Sequence, residues 1–513
     1  MKRLTRIAAD RIDPERLAPF SLAVLRQGPI LPLAPSDEAA NPVAVPDDGD
    51  WPWTLLDDCR LFLGGEVTPV LAPRDVIMTA LNQSFDMASA SAEQMLEDLG
   101  EHDDLSREFE EISDLLDAED EAPVIRLINT LISQALKERA SDIHIEPFAT
   151  KVLVRFRIDG VLHTIITPPK GVQAAMSSRI KVMAGLDIAE KRHPQDGRFR
   201  VRIAAREVDV RVSILPTAQG ERIVMRLLDK SAGVMSLSSL GMSDAQLELI
   251  RQATAAPHGL LLVTGPTGSG KTTTLYAALM QVDRANRNVM TIEDPIEYQL
   301  EGVGQMQVQQ KIGLTFASGL RSILRQDPDI VMIGEIRDLE TAEIAIQASL
   351  TGHLVFATLH TNDSLSAVVR LQDMGVEPYL VASSLIMVQA QRLVRRLCPH
   401  CRRPRPPVDA DWRVLDVDGA DFPDVEVIYE ATGCAECMQT GYKGRVAIYE
   451  MTMISEAMRN LIHEGGNLQE VRRQARREGM RTLRQDGARH VAAGVTTVDE
   501  VLRVTLEDVV AAE

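Results

Sequence analysis

The chain has 513 residues, of which 45% are hydrophobic, 25% charged and only 4% aromatic, and its formal net charge is −19. That length exceeds a single hydrophobic core and predicts two to four domains, with interiors built from aliphatic residues and Met. The acidic balance argues against nucleic acid as a partner, because phosphate backbones are held by clustered Lys and Arg that release counterions, and no apolar run reaches the roughly 18 residues a membrane helix needs.

The first residues, Met1-Lys2-Arg3-Leu4-Thr5-Arg6, lead into no apolar signal core, so a cytoplasmic protein is expected, touching a membrane only through partners. Residues 1–92 mix short apolar stretches with Pro and read as a small N-terminal domain. Within it, residues 34–53, carrying Pro35, Pro42, Pro46 and Asp47-Asp48-Gly49-Asp50, read as a loop. Residues 93–122 follow as an acidic linker in which roughly half the positions are Asp or Glu.

From Pro123, apolar residues at Val124, Leu127, Ile128, Leu131 and Ile132 predict a helix. Strands follow. Val152, Val154, Phe156 and Ile158 alternate with Leu153, Arg155 and Arg157 ahead of the turn dipeptide Asp159-Gly160. Phe199 to Ile203 and Val208 to Ile214 repeat the alternation, so residues 123–232 are expected to be an α+β domain whose sheet has one apolar and one Arg-rich face.

Residues 233–397 alternate apolar strands with helices, as a parallel α/β sheet requires. Strands are predicted at 260–264, 289–292, 330–333 and 354–358, each ending at polar or Gly residues on the carboxyl edge, where ligands bind in such folds. Gly265-Pro266-Thr267-Gly268-Ser269-Gly270-Lys271-Thr272, running on through Thr273, is a phosphate loop between an apolar strand and a helix. Its glycines let the backbone wrap a phosphate, Lys271 should reach the β- and γ-phosphates, and the Thr272 hydroxyl should ligate Mg. The strand 330–333 delivers Glu335 beside that position, placed to hold Mg through water or to polarise the attacking water. The strand ending in Thr291-Ile292-Glu293-Asp294-Pro295-Ile296-Glu297 offers Glu293 as the residue orienting the water, with Glu297 in support. The choice of base between Glu293 and Glu335 stays open. His360 falls at the same edge, where a neutral imidazole could sense the γ-phosphate or a neighbouring subunit; His353 is a second candidate.

Cys398-x-x-Cys401 and Cys434-x-x-Cys437 are two thiolate pairs whose spacing suits tetrahedral, structural zinc in a reducing compartment, leaving Cys59 alone. They bracket an insertion at 398–440, after which 441–513 is expected to be helical.

Taken together, the phosphate loop, the carboxylate box 291–297, Leu324-Arg325-Gln326-Asp327-Pro328-Asp329 leading to Gly334-Glu335-Ile336-Arg337-Asp338, and Thr351-Gly352-His353 through His360-Thr361-Asn362 resemble the Walker, Asp and His boxes of secretion traffic ATPases. Ala140-Ser141-Asp142-Ile143-His144-Ile145-Glu146-Pro147 is similar to the opening of that family's second N-terminal domain. The resemblance implies a RecA-like P-loop ATPase domain preceded by an α+β, PAS-like domain and an N-terminal adaptor. It also implies a homo-hexamer with nucleotide at the interfaces between domains, using ATP and Mg. By position, Arg211 and Arg226 match the family's N-terminal-domain arginines, and Arg321 and Arg325 those preceding Walker B. Secretion motors and many pilus extension motors of the family carry the cysteine insertion; retraction motors do not. Residues 19–28 and Ile30-Leu31-Pro32-Leu33 are similar to the part of secretion motors that docks on their inner-membrane anchor, the L protein, and the cyclic-di-GMP motif of many extension motors has no copy here. A motor acting with that anchor and the platform protein to assemble a pseudopilus for type II secretion is the expected function, with a type IV pilus extension ATPase as the alternative.

Overall fold

A computed structural model describes residues 3–4, 7, 11, 13, 16, 29–35, 39–49, 51–74, 76–78, 80–81, 123–203, 206–229 and 235–505. The acidic linker 93–122 and the docking stretch 19–28 lie outside the described residues. The chain divides into two compact units, Met1–Ser231 and Ala232–Glu513.

In the first unit, β1 (Leu31–Pro32), β2 (Pro42–Pro46) and β3 (Thr68–Ala72) form a small sheet, with helix α1 (Trp53–Phe62) between the last two strands. The reading of 34–53 as a loop is corrected here, because β2 is the central strand, antiparallel to β1 and parallel to β3. Val43, Ala44 and Val45 are fully buried. Pro42 and Pro46 stand at the strand's two ends, where a missing N–H disturbs the ladder least. Burial of three small apolar residues between two partners outweighs the Pro punctuation.

Beyond the linker, α2 (Pro123–Lys137) precedes β4 (Asp142–Pro147), β5 (Val152–Ile158), β6 (Val161–Ile166), α3 (Gln173–Ala184), β7 (Gln195–Ile203), β8 (Arg206–Thr217) and β9 (Gly220–Asp229). The strands make an antiparallel sheet of order β6-β5-β4-β9-β8-β7. Asp159 and Gly160 both take positive φ, 48° and 85°, the backbone a two-residue hairpin between right-twisted strands requires. Val152, Val154, Phe156, Val208, Val210, Val212, Ile223 and Met225 pack with Leu127, Ile128 and Leu131 of α2 and Ile180 of α3. The opposite face carries arginines around a row of β4 residues. Arg155 and Arg222 both pair with Glu146, while Arg157 and Arg226 pair with Asp142 at 3.8 and 2.9 Å.

The second unit contains α4 (Asp244–Ala255), β10 (Gly259–Thr264), α5 (Lys271–Leu279), β11 (Val289–Glu293), β12 (Gly304–Gln307), α6 (Phe316–Ile323), β13 (Ile330–Ile333), α7 (Leu339–Leu350), β14 (Leu354–Leu359), α8 (Ser366–Asp373), α9 (Pro378–Ser384) and β15 (Leu385–Leu397). Then come β16 (Arg403–Arg405), α10 (Asp409–Val414), β17 (Ile428–Glu430), β18 (Tyr442–Met453), α11 (Glu456–His463), α12 (Leu468–Arg477), α13 (Leu483–Ala492) and α14 (Val498–Thr505). Its sheet has the order β12-β11-β13-β14-β10-β15-β18, parallel except for β18.

Both faces of this sheet are covered. Leu260, Leu262, Val331, Ile333, Val355 and Ala357 pack to one side, and Leu261, Val263, Ile330, Met332, Leu354 and Phe356 to the other. That is why these strands read as continuous apolar runs rather than alternations.

The expectation that 441–513 is helical is corrected at its start. Twelve residues, Tyr442–Met453, form the antiparallel edge strand of this seven-stranded sheet, against β15. Their short apolar run, Val446 to Tyr449, could be helix or strand by periodicity alone. Pairing with the long neighbour decides it. Among the described residues no helix is long and apolar enough to cross a membrane.

Candidate active site

The carboxyl edge of the parallel sheet gathers the chemistry. β10 runs into the loop 265–270, and α5 begins at Lys271 with Gly270 as its N-cap in a left-handed conformation, φ 87°. A Cβ at Gly270 would lie 2.8 Å from Gln391 Nε2, and one at Gly265 (φ 149°) would lie 2.6 Å from the Gln391 carbonyl and 2.7 Å from Ser269 Oγ. Glycine is thus required twice, by backbone conformation and by the close approach of β15. Gln391 clamps the loop from below. Its amide nitrogen donates to the Ser269 carbonyl at 2.8 Å, and its amide oxygen accepts from the Thr274 hydroxyl at 2.8 Å.

Two features fit a phosphate in this loop. Ser269 Oγ is buried without a hydrogen-bond partner among the described residues. Lys271 folds back on the loop, its Nζ donating to the carbonyls of Gly265 and Pro266 at 2.7 and 3.2 Å. Burial pulls the Lys271 ammonium down to about 8, against the Glu335 carboxylate that favours its charge, with Arg392 adding repulsion. An incoming phosphate oxygen would replace those carbonyls and favour the charged form further.

Glu335 follows β13 beside the loop. Its Oε2 accepts from Arg337 Nε at 2.8 Å, its Oε1 lies 3.0 Å from His360 Nε2, and its side chain is 20% exposed. Burial and the Lys271 charge lower the His360 pKa, so its ring stands neutral near pH 7, although Glu335 opposes the shift. The edge is fastened by hydroxyls. Thr264 Oγ1 lies 2.6 Å from Thr361 Oγ1 and accepts from the Thr361 N–H at 2.7 Å, while Thr358 donates to the Gly334 carbonyl at 2.5 Å. A pocket of about 180 Å³ opens there, lined by Glu335, Arg337, His360 and Arg370 among others. Arg337 and Arg370 were not singled out from the sequence; Arg337 at least follows the carboxylate by two residues, whereas Arg370 comes from α8 with no local signal.

Glu293 has a different environment. It is 3% exposed and both carboxylate oxygens are occupied, Oε2 by the Tyr276 hydroxyl and Oε1 by Thr291 at 2.5 Å and Gln305 Nε2 at 3.1 Å. Glu297, four residues on, is half-buried. His353 sits at the start of β14, the edge away from the phosphate loop. Its ring Nδ1 lies 2.9 Å from the Ala348 carbonyl, so it caps the end of α7. Arg321 pairs with Glu340 at 2.6 Å, and Arg325 donates to Ser322 at 3.2 Å. In the first unit Arg211 lies opposite Arg226 across β8 and β9, and Arg226 holds Asp142.

The cysteines come together. Cys398 and Cys434 sulfurs are 3.9 Å apart, Cys401 and Cys437 3.7 Å, Cys434 and Cys437 3.7 Å, and all four lie within 4.8 Å of one another. Four sulfurs around a zinc at about 2.3 Å would be about 3.8 Å apart, so the set fits that ion. The N–H groups of Cys434 and Gly441 donate to Cys437 Sγ at 3.2 Å each, which suits a thiolate. Cys59 is buried elsewhere, its thiol pushed up to about 12 by burial and by Asp58.

A doubly covered parallel sheet, a phosphate loop at its carboxyl edge and a carboxylate at the end of a neighbouring strand define a P-loop ATPase. Residues 117–503 match the family described as Type II/IV secretion system protein, and residues 3–91 match the MshEN domain. The chain is 51% identical over 508 residues to a Type II secretion system protein E of Pseudomonas aeruginosa, covering 98% of each chain. It is 50% identical over 431 residues to the Type II secretion system ATPase E of Vibrio cholerae, covering 83% of this chain and 85% of the other. The crystal structure of the pilus retraction motor PilT with bound ADP is similar at 28% identity and a TM-score of 0.50, over 73% of this chain and 95% of that one. The chain belongs to the Type II/IV secretion system protein family, among the E proteins of type II secretion, and is an ATP hydrolase.

Proposed function

We propose that this secretion ATPase works as a homo-hexamer at the cytoplasmic face of the inner membrane. There it takes ATP and Mg, docks through its N-terminal domain on the L-protein anchor, and drives pseudopilus assembly through the platform protein. The observation that carries this reading is the near full-length identity to type II secretion E proteins, N-terminal domain included. The arginine-covered strand face and the tetracysteine module support it. In this reading residues 1–92 are the adaptor, 123–232 the second N-terminal domain, 233–397 the ATPase core and 398–440 the zinc module, held by Cys398, Cys401, Cys434 and Cys437 as a purely structural site.

Residues 265–273 cradle the triphosphate, with Lys271 neutralising charge on the β- and γ-phosphates. Thr272 and Glu335 would hold Mg, which would offset the negative charge of the triphosphate. Water attacks the γ-phosphorus, the bond to the bridging oxygen breaks, and the proton of the water passes to a carboxylate open to that edge. Glu335 is such a carboxylate, with Glu297, half-buried four residues beyond the end of β11, supporting it; Glu293, enclosed by three donors, supports the loop instead. His360 reports the γ-phosphate to Glu335, and Arg211, Arg226, Arg321 and Arg325 serve the phosphates once the ring is formed.

The experiment measures hydrolysis, mass in solution and L-protein co-purification of the full chain. Lys271→Ala and Glu335→Gln should lose turnover while keeping the nucleotide-dependent hexamer or the anchor contact. A chain that stays monomeric with ATP and the L cytoplasmic domain would refute the assembly. Undiminished turnover in both variants would refute the site.

A further inference from the structure

The buried carboxylate of Glu293 has neutral partners only among those described for it: a phenol, an alcohol and an amide. Such a group is costly to bury without hydrogen bonds, so its partners define one geometry. The partners come from three elements. Tyr276, itself 0% exposed, is on α5, one and a half turns beyond Lys271; Thr291 is on β11; Gln305 is on β12.

The same phenol oxygen also meets the backbone N–H of Glu297. The Tyr276 ring stands edge-on to Tyr298, with centroids 4.7 Å apart. Gln305 completes the enclosure, donating to the Tyr298 carbonyl at 3.2 Å and accepting from the Leu300 N–H at 2.8 Å. One oxygen atom therefore joins the helix that follows the phosphate loop, the carboxylate at the end of β11, and the backbone of the segment that presents Glu297.

We propose that Tyr276 is a positioning residue for hydrolysis: its hydroxyl, through Glu293 and the Glu297 backbone, sets the distance between the phosphate loop and the Glu297 carboxylate. The inference deepens the reading of Glu297 given above and rests on it. Lys271 and residues 265–270 bind phosphate without help from this hydroxyl, whereas alignment of the water depends on it.

Tyr276→Phe keeps the ring, its packing and its contact with Tyr298. In full-length protein, steady-state phosphate release should show kcat lowered on the order of tenfold or more, with nucleotide affinity and KM within about threefold of the parent. Glu293→Gln should act in the same direction, and the double variant Tyr276→Phe/Glu293→Gln should lose little beyond either single one. A Tyr276→Phe chain with parental kcat overturns the proposal. So does a parallel loss of affinity and turnover, or full additivity in the double variant, since each would mark a structural role alone. Glu297→Gln is the control. If it retains full turnover, the reading of Glu297 fails and the role of Tyr276 fails with it; if it is inactive, the Tyr276 outcome stands by itself.

Discussion

Replacing Gln391 with Met tests whether β15 holds the phosphate loop. The side chains are of similar length and Gln391 is 2% exposed, so packing is largely kept while a long hydrogen bond from Gln389, 3.3 Å, and two shorter ones are lost. The two shorter bonds serve the Ser269 carbonyl and the Thr274 hydroxyl, in residues that are 4% and 1% exposed, so water cannot readily replace them. A buried polar group left without a partner costs about 1–3 kcal/mol, giving about 2–6 kcal/mol for the pair. The cost can appear as global instability, or as a loop that shifts to find new partners. In the second case it is charged against nucleotide binding, at about tenfold per 1.4 kcal/mol. Titration with a fluorescent ATP analogue should show a Kd raised on the order of tenfold or more, and thermal melting should show the remainder. Gln391→Glu should be worse, because it keeps an acceptor for Thr274 but turns a carboxylate oxygen toward the Ser269 carbonyl. If Gln391→Met leaves both Kd and Tm unchanged, the clamp contributes nothing and the argument from buried polar partners is wrong.

Three further outcomes follow from the same geometry. Cys401→Ser, or a strong chelator, should release about one zinc per chain by elemental analysis and lower the melting temperature, since four thiolates leave the metal no open position for chemistry. His490 is 4% exposed, and burial, then the nearby Arg489 and Arg396 charges, lower its pKa from 6.5 to about 4. Between those values the unfolded chain binds a proton that the folded chain does not, so stability falls as pH drops from about 6.5 through 4, by about 3 kcal/mol in full. His490→Gln should flatten that part of a melting-temperature profile against pH. Gly319 in α6 faces β11, and an added Cβ would lie 2.1 Å from Ile292 Cδ1 and 3.2 Å from Met306 Sδ. Gly319→Ala should therefore destabilise by about 1–3 kcal/mol of overpacking, partly offset by about 1 kcal/mol of helix propensity, read from denaturant unfolding.

What could be read without coordinates is what is local. The phosphate loop, the Glu335 strand end, the Asp159-Gly160 turn and both cysteine pairs depend on residues close in the chain, where backbone conformation and ligand spacing are written in neighbouring letters. The apolar runs of β10, β13 and β14 were legible for the same reason: a strand covered on both faces needs no partner to reveal its burial. What tertiary structure alone decided is pairing at a distance. Pro42–Pro46 became a central strand because β1 and β3 enclose it, and Tyr442–Met453 became an edge strand because β15 was there to receive it. Gln391 clamps a loop 122 residues away, and Glu293, which local spacing presents as a water-facing base, is enclosed by Tyr276 and by Gln305 from separate elements. A carboxylate's role depends on whether water or protein surrounds it, and that is a property of the packed sheet edge rather than of the segment that carries it.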